Sequence, residues 1–446
     1  MTTLKLRVLV AGLLAVTLVA AGGASAHVGI FGGAAGTAAG PGIPTDTVRF
    51  AYYPCCADSS LPVVGIRKGF FKAVGITITP DNGFQWSQNT QFVPAMQRGD
   101  FDMATGFSTA WLTTLNTFGM NLPPVMNYDV YLGRVILLAP KSKLKTTAEY
   151  MKQGMTFKAA AKKAVAAIKG KTLFTDPFAG AQPPYYDILL SYGGLTSKSI
   201  NFTYLSDDKI LALSTTPGNM ELAFPLGAPI LVAMIRGGWR PLIDMASILQ
   251  YDGKSSQATE LMKETGNQTV AVQRSYLEQH HDTVLRFVSV VYRTIAYLSN
   301  PKTAADGDKI LSDTINAARG LKLLPQDIAT IYKTVDPLFG WKDQAKTVWN
   351  PKSPFYAPAG YASALQALID NKSLPAGDYD LKKFLASKGV YQQMAGYQRQ
   401  ADRMFKQAKT SKNAKKHKSL VVAARKYYNW YDFLDAVRYL NAALAK

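Results

Sequence analysis

Val48-Arg49-Phe50-Ala51-Tyr52-Tyr53, Leu61 to Gly75 and Ile76-Thr77-Ile78-Thr79 together decide how the chain reads. The first run is rich in β-branched and aromatic residues and stops at Pro54, which predicts a strand followed by a loop. Ser59 and Ser60 can cap a helix. Leu61, Val64 and Phe71 belong to an apolar set at helical spacing, and Gly75 is a stop. Ile76 to Thr79 alternates as a second strand. Asn89 to Arg98 predicts a short helix ended by Gly99-Asp100, and Phe101 to Ala104 a third strand running into Thr105-Gly106-Phe107-Ser108-Thr109. Val130 to Ala139 predicts another strand. This β, α, β, α order is the signature of a parallel sheet with helices on its faces.

The pattern restarts at Lys171-Thr172-Leu173-Phe174-Thr175. A helix is expected over Tyr185 to Tyr192 and closed by Gly193-Gly194, followed by a strand over Phe202 to Leu205 and a short helix over Asp207 to Leu213. Leu222-Ala223-Phe224 and Ile230 to Met234 complete this second unit. From Thr269 the chain reads as helical, Val284 to Ser299 is strongly amphipathic, and residues 302 to 446 carry helical patterns almost throughout. No internal repeat stands at a solenoid period.

At the other end, Lys5 and Arg7 precede the apolar run Leu9 to Ala21, and Ala24-Ser25-Ala26 offers small residues for cleavage. This is the pattern of a cleaved secretory signal, 1–26, and the run is shorter than a membrane span requires. A Gly/Ala/Pro-rich stretch, 27–46, reads as a flexible leader. No Cys stands at the cleavage site for lipid attachment, so a periplasm is expected rather than a Gram-positive surface. The chain has 446 residues, 48% hydrophobic and 18% charged, which excludes wholesale disorder and fits two or three domains. Two cysteines exclude a disulfide scaffold.

The formal charge of +20 invites a nucleic-acid or membrane reading, but it is concentrated. Residues 141 to 171, which read as a linker or surface helix, hold nine Lys against Glu149, and residues 399 to 426 hold ten Lys and Arg against Asp402. With the signal's two cations removed, everything else is close to neutral. No nucleic-acid partner is expected. Arg403, Lys406, Lys409, Lys412 and Lys415 recur every three residues, which predicts a basic stripe on one helix face. It reads as a solvated face, with contact to a membrane surface as the sharper alternative.

These phrases resemble the opening of ABC-importer periplasmic solute-binding proteins of the nitrate, sulfonate, taurine and thiamine-pyrimidine group. The similarity rests on Val48 to Tyr52, Gly65-Ile66-Arg67-Lys68-Gly69-Phe70-Phe71-Lys72-Ala73-Val74-Gly75-Ile76, Pro94 to Ala104, Ile168 to Thr172, and Gly218 to Ala223. It covers about residues 47 to 300. The departures are Glu221 for the usual Asp, the Lys-rich insertion and the long tail. The resemblance implies an α/β type II periplasmic-binding-protein fold, two lobes with a ligand cleft, plus a helical C-terminal extension. Its divisions are lobe 1 over 47–140, a Lys/Ala-rich insertion or linker over 141–167, lobe 2 over 168–235, a return to lobe 1 over 236–301, and the extension over 302–446. It implies a monomer that holds a small-molecule ligand and delivers it to an ABC permease, with no cofactor.

Ligands of open α/β sheets sit beyond the carboxyl ends of strands. That rule selects the loops holding Cys55, Cys56 and Asp58, then Trp86 and Gln88, then Phe107, Ser108, Thr109 and Trp111, then Asp176, Phe178 and Gln182, with Tyr185 just after. Glu221 joins them through the resemblance. Hydroxyls and backbone N–H groups at a helix start suit an anion, while Ser87 or Asn89 alone reads as a cap. The aromatics suit a planar heterocycle or an organic tail, although Tyr186 reads as core. A sulfonate or other small oxoanion and a thiamine-precursor pyrimidine both stay open. No Arg lies in these loops, leaving Arg49, Arg134 or Arg236 to reach in. Adjacent Cys55 and Cys56 are either a vicinal disulfide or two free thiols; metal ligation is the weakest reading, since no His stands nearby.

The rival class is a thiamine-pyrimidine-synthesising enzyme, which would use a Cys-rich motif and a His. His27, His280, His281 and His417 all fall outside the selected loops, and no nucleophile elbow, HExxH or phosphate loop occurs. The expectation is therefore a binding protein with no catalytic residues and no metal.

Overall fold

A computed structural model describes residues 41–86, 92–115, 121–176, 184–216, 218–263, 267–370 and 372–445. The signal and most of the leader lie outside them, as do Gln88, Phe178 and Gln182. Tyr185 opens a helix, Pro184–Ser191, but its side chain is outside the described residues.

Two five-stranded sheets organise the chain. The first has the order β2-β1-β3-β10-β4, from β1 (Asp46–Tyr52), β2 (Ile76–Gln85), β3 (Met103–Phe107), β4 (Pro124–Asn127) and β10 (Gln268–Val272). The second has the order β7-β6-β8-β5-β9, from β5 (Val135–Leu138), β6 (Thr172–Thr175), β7 (Asn201–Tyr204), β8 (Leu222–Phe224) and β9 (Arg240–Asp244). β1 is parallel to β2 and β3, and β6 to β7 and β8. β10 runs antiparallel between β3 and β4, and β5 antiparallel between β8 and β9. Each sheet thus takes one strand from a crossover.

The first unit forms as its pattern predicts. Helix Leu61–Arg67 buries Leu61, Val63 and Val64, and Gly75 ends the following turn in the left-handed region, at φ 75°. A Cβ on Gly65 would stand 2.9 Å from the Thr294 hydroxyl, so glycine permits the close seating of this helix on helix His281–Ser299. Asp102 is a structural staple: its carboxylate accepts from the Arg49 backbone N–H at 2.8 Å and from the Arg49 guanidinium, tying β1 to the entry of β3. Arg49 is thereby committed away from any ligand.

Four expectations change or are decided. The strand expected over 130–139 shortens to β5, because residues 130–134 belong to the crossover 128–134, and β4, before that crossover, was not expected. Those crossover residues include polar Asp129, Gly133 and Arg134, which leave the sheet rather than extend it. The helical reading from Thr269 misses β10, whose five residues are all buried; buried on both faces, such a strand shows no alternation. The Lys-rich segment is not a loose linker. Thr146 and Thr156 cap helices Thr147–Lys152 and Phe157–Ala166, and Phe157, Ala161, Ala164 and Val165 enter the core of the second lobe. Residues 240–263, expected on the way back to lobe 1, still build lobe 2 through β9 and helices Met245–Asp252 and Ser256–Lys263.

The C-terminal extension is helical. Helix Ala304–Arg319 packs on helix Leu61–Arg67, and helix Pro325–Thr334 on helix Ala228–Arg236 of lobe 2. Helices Ala386–Thr410, Lys418–Asn429 and Phe433–Leu444 pack together, and their apolar residues join the core of lobe 1. The basic residues 403, 406, 409, 412 and 415 are all exposed, but they make no single stripe. A three-residue step falls about 60° behind the helix per repeat, and the helix ends at Thr410, with Ser411 capping a new one. Among the described residues no helix is long and apolar enough to cross a membrane.

Candidate functional site

The carboxyl ends of β1, β3, β6, β7 and β8 converge between the lobes. The turn after β1, residues 54–60, is buried throughout, and its backbone is gripped from several directions. Thr105 donates its hydroxyl to the Ser59 carbonyl at 2.8 Å, and Tyr128 donates to the Asp58 carbonyl at 3.0 Å. From the extension, Tyr332 donates to the Ala57 carbonyl at 2.8 Å and Arg319 to the Cys55 carbonyl at 3.2 Å. Carbonyls turned away from water must find such donors, so the turn is rigid before any ligand arrives. Cys55 and Cys56 are joined in a vicinal disulfide and are 6% and 4% exposed. Alkylation of the unfolded, unreduced protein is therefore expected to label neither cysteine, and labelling of both without prior reduction, read by peptide mass, contradicts the bond.

Lobe 2 meets this turn directly. A Cβ on Gly227, just after β8, would stand 3.5 Å from the Cys55 carbonyl. Asp207, following β7, holds that lobe-2 turn by accepting from the Leu226 and Gly227 N–H groups. Burial pushes Asp207 up to about 6, with Asp176 adding to the rise and the two N–H donors and Arg319 opposing it. Tyr53, half-buried at the end of the first strand, lies within electrostatic reach of Arg319, Asp208, Asp176 and Asp207, and burial raises its hydroxyl pKa. Arg319 spans the junction, with its second guanidinium nitrogen 2.6 Å from Asp208. In the crossover, Tyr131 donates to the Leu226 carbonyl at 2.6 Å, and the Arg134 guanidinium lies over the Tyr131 ring at 4.8 Å.

The residues selected from sequence separate into three groups. Cys55, Cys56, Phe107, Ser108, Thr109 and Asp176 lie at the converging strand ends. Ser108 exchanges hydrogen bonds with the backbone of Asn267. Trp86 ends β2 in an aromatic knot, its ring 5.0 Å from both Phe84 and Phe101, with Phe84 40% exposed. A second group turns away from the cleft. Trp111 is wholly buried and donates to the Gly106 carbonyl. Glu221 immediately precedes β8, at the opposite end of the strand from Phe224. It is paired with Lys171 at 2.7 Å and accepts from Ser142, and Lys171 holds it below the usual carboxylate range. Asp58 points into a closed carboxylate cluster. The third group, Gln88, Phe178, Gln182 and the Tyr185 side chain, lies outside the described residues. Of the three arginines named as candidates, Arg236 is committed to Asp327 and the Lys322 carbonyl, and only Arg134 stands near the junction.

Tyr53, Tyr131, Asp207 and Arg319 were not selected from sequence. Asp207 reads there as a helix start and Arg319 as one cation in a tail; no local signal places either beside Cys55. His280 stacks on Tyr276 and His281 meets Gln393, both outside the cleft. With both sulfurs bonded to each other, neither cysteine is a thiolate nucleophile.

No family model and no curated protein matches the chain. Solved structures do. The periplasmic aliphatic sulphonate binding protein SsuA from Escherichia coli is 16% identical, with a TM-score of 0.52, over 76% of this chain and 91% of that one. A putative periplasmic sulfonate-binding SsuA from Methylobacillus flagellatus is 12% identical, with a TM-score of 0.52, over 79% and 95%. The desulfurization enzyme DszB, in complex with biphenyl-2-sulfinic acid, is 13% identical, with a TM-score of 0.51, over 77% and 97%. Two α/β lobes with sheets of this order, meeting at their strand ends, are the periplasmic-binding-protein fold, and this chain carries it with a helical C-terminal extension.

Proposed function

We propose that the chain is an exported solute-binding protein that captures a small organic ligand between its lobes and hands it to an ABC permease. The observation that carries this reading is the meeting of Tyr53 and Cys55 of lobe 1 with Asp176, Asp207 and Gly227 of lobe 2 at the strand ends. A ligand held there touches both lobes and stabilises their closure. The two sulfonate-binding neighbours support a sulfonate. The acidic edge made by Asp176, Asp207 and Asp208 favours a ligand that also carries a cation, so a zwitterionic aminosulfonate such as taurine ranks above nitrate or sulfate. The Phe84, Trp86 and Phe101 knot keeps a thiamine-precursor heterocycle as the second reading.

The test is a thermal-shift screen of the mature protein with taurine, alkanesulfonates, nitrate, sulfate and thiamine precursors. At 1,000 times Kd a ligand adds about 4 kcal/mol to stability, so a cognate compound raises the melting temperature clearly. A screen in which none of these classes moves it overturns the ligand assignment. Sustained turnover of a bound compound, assayed with iron and pyridoxal phosphate present, overturns the binding-only reading.

A further inference from the structure

Three carboxylates from distant parts of the chain meet behind the turn after β1. They are Asp58 of that turn, Asp129 of the first crossover and Asp336, which follows helix Pro325–Thr334. One oxygen from each lies within 4.8 Å of those of the other two. Asp58 and Asp129 are 1% exposed and Asp336 is 0% exposed. Asp58 Oδ1 accepts from the Ser59 N–H, and Asp129 Oδ1 from the Gln268 N–H. As ionised carboxylates, their Oδ2 atoms receive no donor.

Asp336 is a separate observation. It is wholly buried, neither of its oxygens has a hydrogen-bond partner, and it reaches the Asp58–Asp129 pair. Buried carboxylates without partners are costly and rare. The nearby phenols do not relieve it, since Tyr128 donates to the Asp58 carbonyl and Tyr332 to the Ala57 carbonyl. Arg134 is the cation that acts on Asp336. Three carboxylates against one guanidinium leave a deficit of two charges. Burial pushes all three carboxyls above their usual range, and neighbouring carboxylates add to the rise at Asp129 and Asp336.

Two protons or one divalent cation would close that deficit. A proton shared between Asp58 and Asp129, whose carboxyls lie within hydrogen-bonding reach of each other, would remove one of these charges but would leave Asp336 without a partner. Ligand oxygens on Ca²⁺ lie about 2.3–2.6 Å from the ion, hence up to about 5 Å from each other, so three oxygens within 4.8 Å of one another can share one ion. An all-oxygen set selects a hard cation. Burial favours Ca²⁺ over Mg²⁺, which keeps several waters and demands octahedral geometry.

We propose that Asp58, Asp129 and Asp336 bind one Ca²⁺ ion, which ties the turn after β1, the inter-lobe crossover and the C-terminal extension together. The site lies beneath the cleft and does not depend on which solute is bound. The mature full chain, desalted after purification in Ca²⁺-containing buffer, is expected to hold about one Ca²⁺ by elemental analysis. Unfolding in EDTA and refolding with Ca²⁺ should give a melting temperature several degrees above that of protein refolded in EDTA, with Mg²⁺ a poor substitute. Asp336→Asn should abolish both the bound metal and the Ca²⁺-dependent shift. The proposal is overturned if wild type holds less than about a tenth of an ion per chain and melts alike with Ca²⁺ and EDTA. It is also overturned if Asp336→Asn keeps its Ca²⁺. Should that variant not fold, the wild-type comparison decides alone.

Discussion

Arg286→Met is expected to cost about 3–5 kcal/mol of stability, the loss that follows when one partner of a buried charge network is removed. Arg286 lies in helix His281–Ser299 with its side chain 1% exposed. Its Nη1 donates to the Pro44 carbonyl at 2.7 Å, and its Nε is 3.7 Å from Asp435 in the last helix. Asp435 also accepts from Arg438 at 2.8 Å and donates its backbone N–H to Asp432. Asp432 is pushed well above the usual carboxylate range by burial and by Asp435, so the pair is already crowded with negative charge. Without Arg286 two adjacent buried carboxylates depend on Arg438 alone. Urea unfolding measures the loss, and limited proteolysis should release fragments from beyond residue 385 sooner than in wild type. Adding Asp435→Asn should recover part of the stability. A loss below about 1 kcal/mol, the range of an exposed pair, would mean that the extension is held by apolar packing alone.

The pH dependence of stability should carry a contribution from Asp207 that Asp207→Asn removes. The folded value, pushed up to about 6, lies above the ordinary aspartate value of 3.8. Folding therefore favours the protonated form. The contribution is fully present below the unfolded value and is lost as pH rises through 6. The difference amounts to on the order of 3 kcal/mol between pH 4 and pH 7. Asparagine is a neutral isostere that keeps an acceptor for only one of the Leu226 and Gly227 N–H groups, a loss that does not vary with pH. Relative to wild type, the variant should gain stability as pH rises from 4 to 7, whatever the constant cost of the lost acceptor. Parallel stability curves, measured by urea unfolding across that window, would falsify the assignment. The effect matters for function because this carboxylate shapes the lobe-2 turn that faces Cys55.

Much of the fold was legible because it rests on local patterns. The run Val48 to Tyr52, the stop at Gly75 and the alternation at Ile76 each report a backbone preference within a few residues. β10 was not legible. Its five residues are buried on both faces, and a short apolar run has no period that separates strand from helix. The Lys-rich helices were legible only as one of two readings, linker or surface helix, for a related reason. Their exposed lysines dominate the composition, while the alanines that pack into lobe 2 give a weak apolar signal.

The site was legible as loops and not as contacts. The strand-end rule selected Cys55, Ser108, Thr109 and Asp176 because topology places carboxyl ends together whatever the side chains are. It also swept in Trp111, whose ring serves the core, and Glu221, whose carboxylate is held by Lys171. Loop membership does not say which way a side chain turns.

The sequence alone determined the alternation of strands and helices that opens each α/β unit, the helical tail and the segregation of the basic charge, since all three are properties of neighbouring residues. Only the tertiary structure decided that Arg319 of the tail grips Cys55, that Asp207 braces Gly227, and that Asp58, Asp129 and Asp336 share one buried space. Electrostatics and hydrogen bonding act over a few ångströms, and the distances between these groups are set by how the layers pack rather than by their separation along the chain.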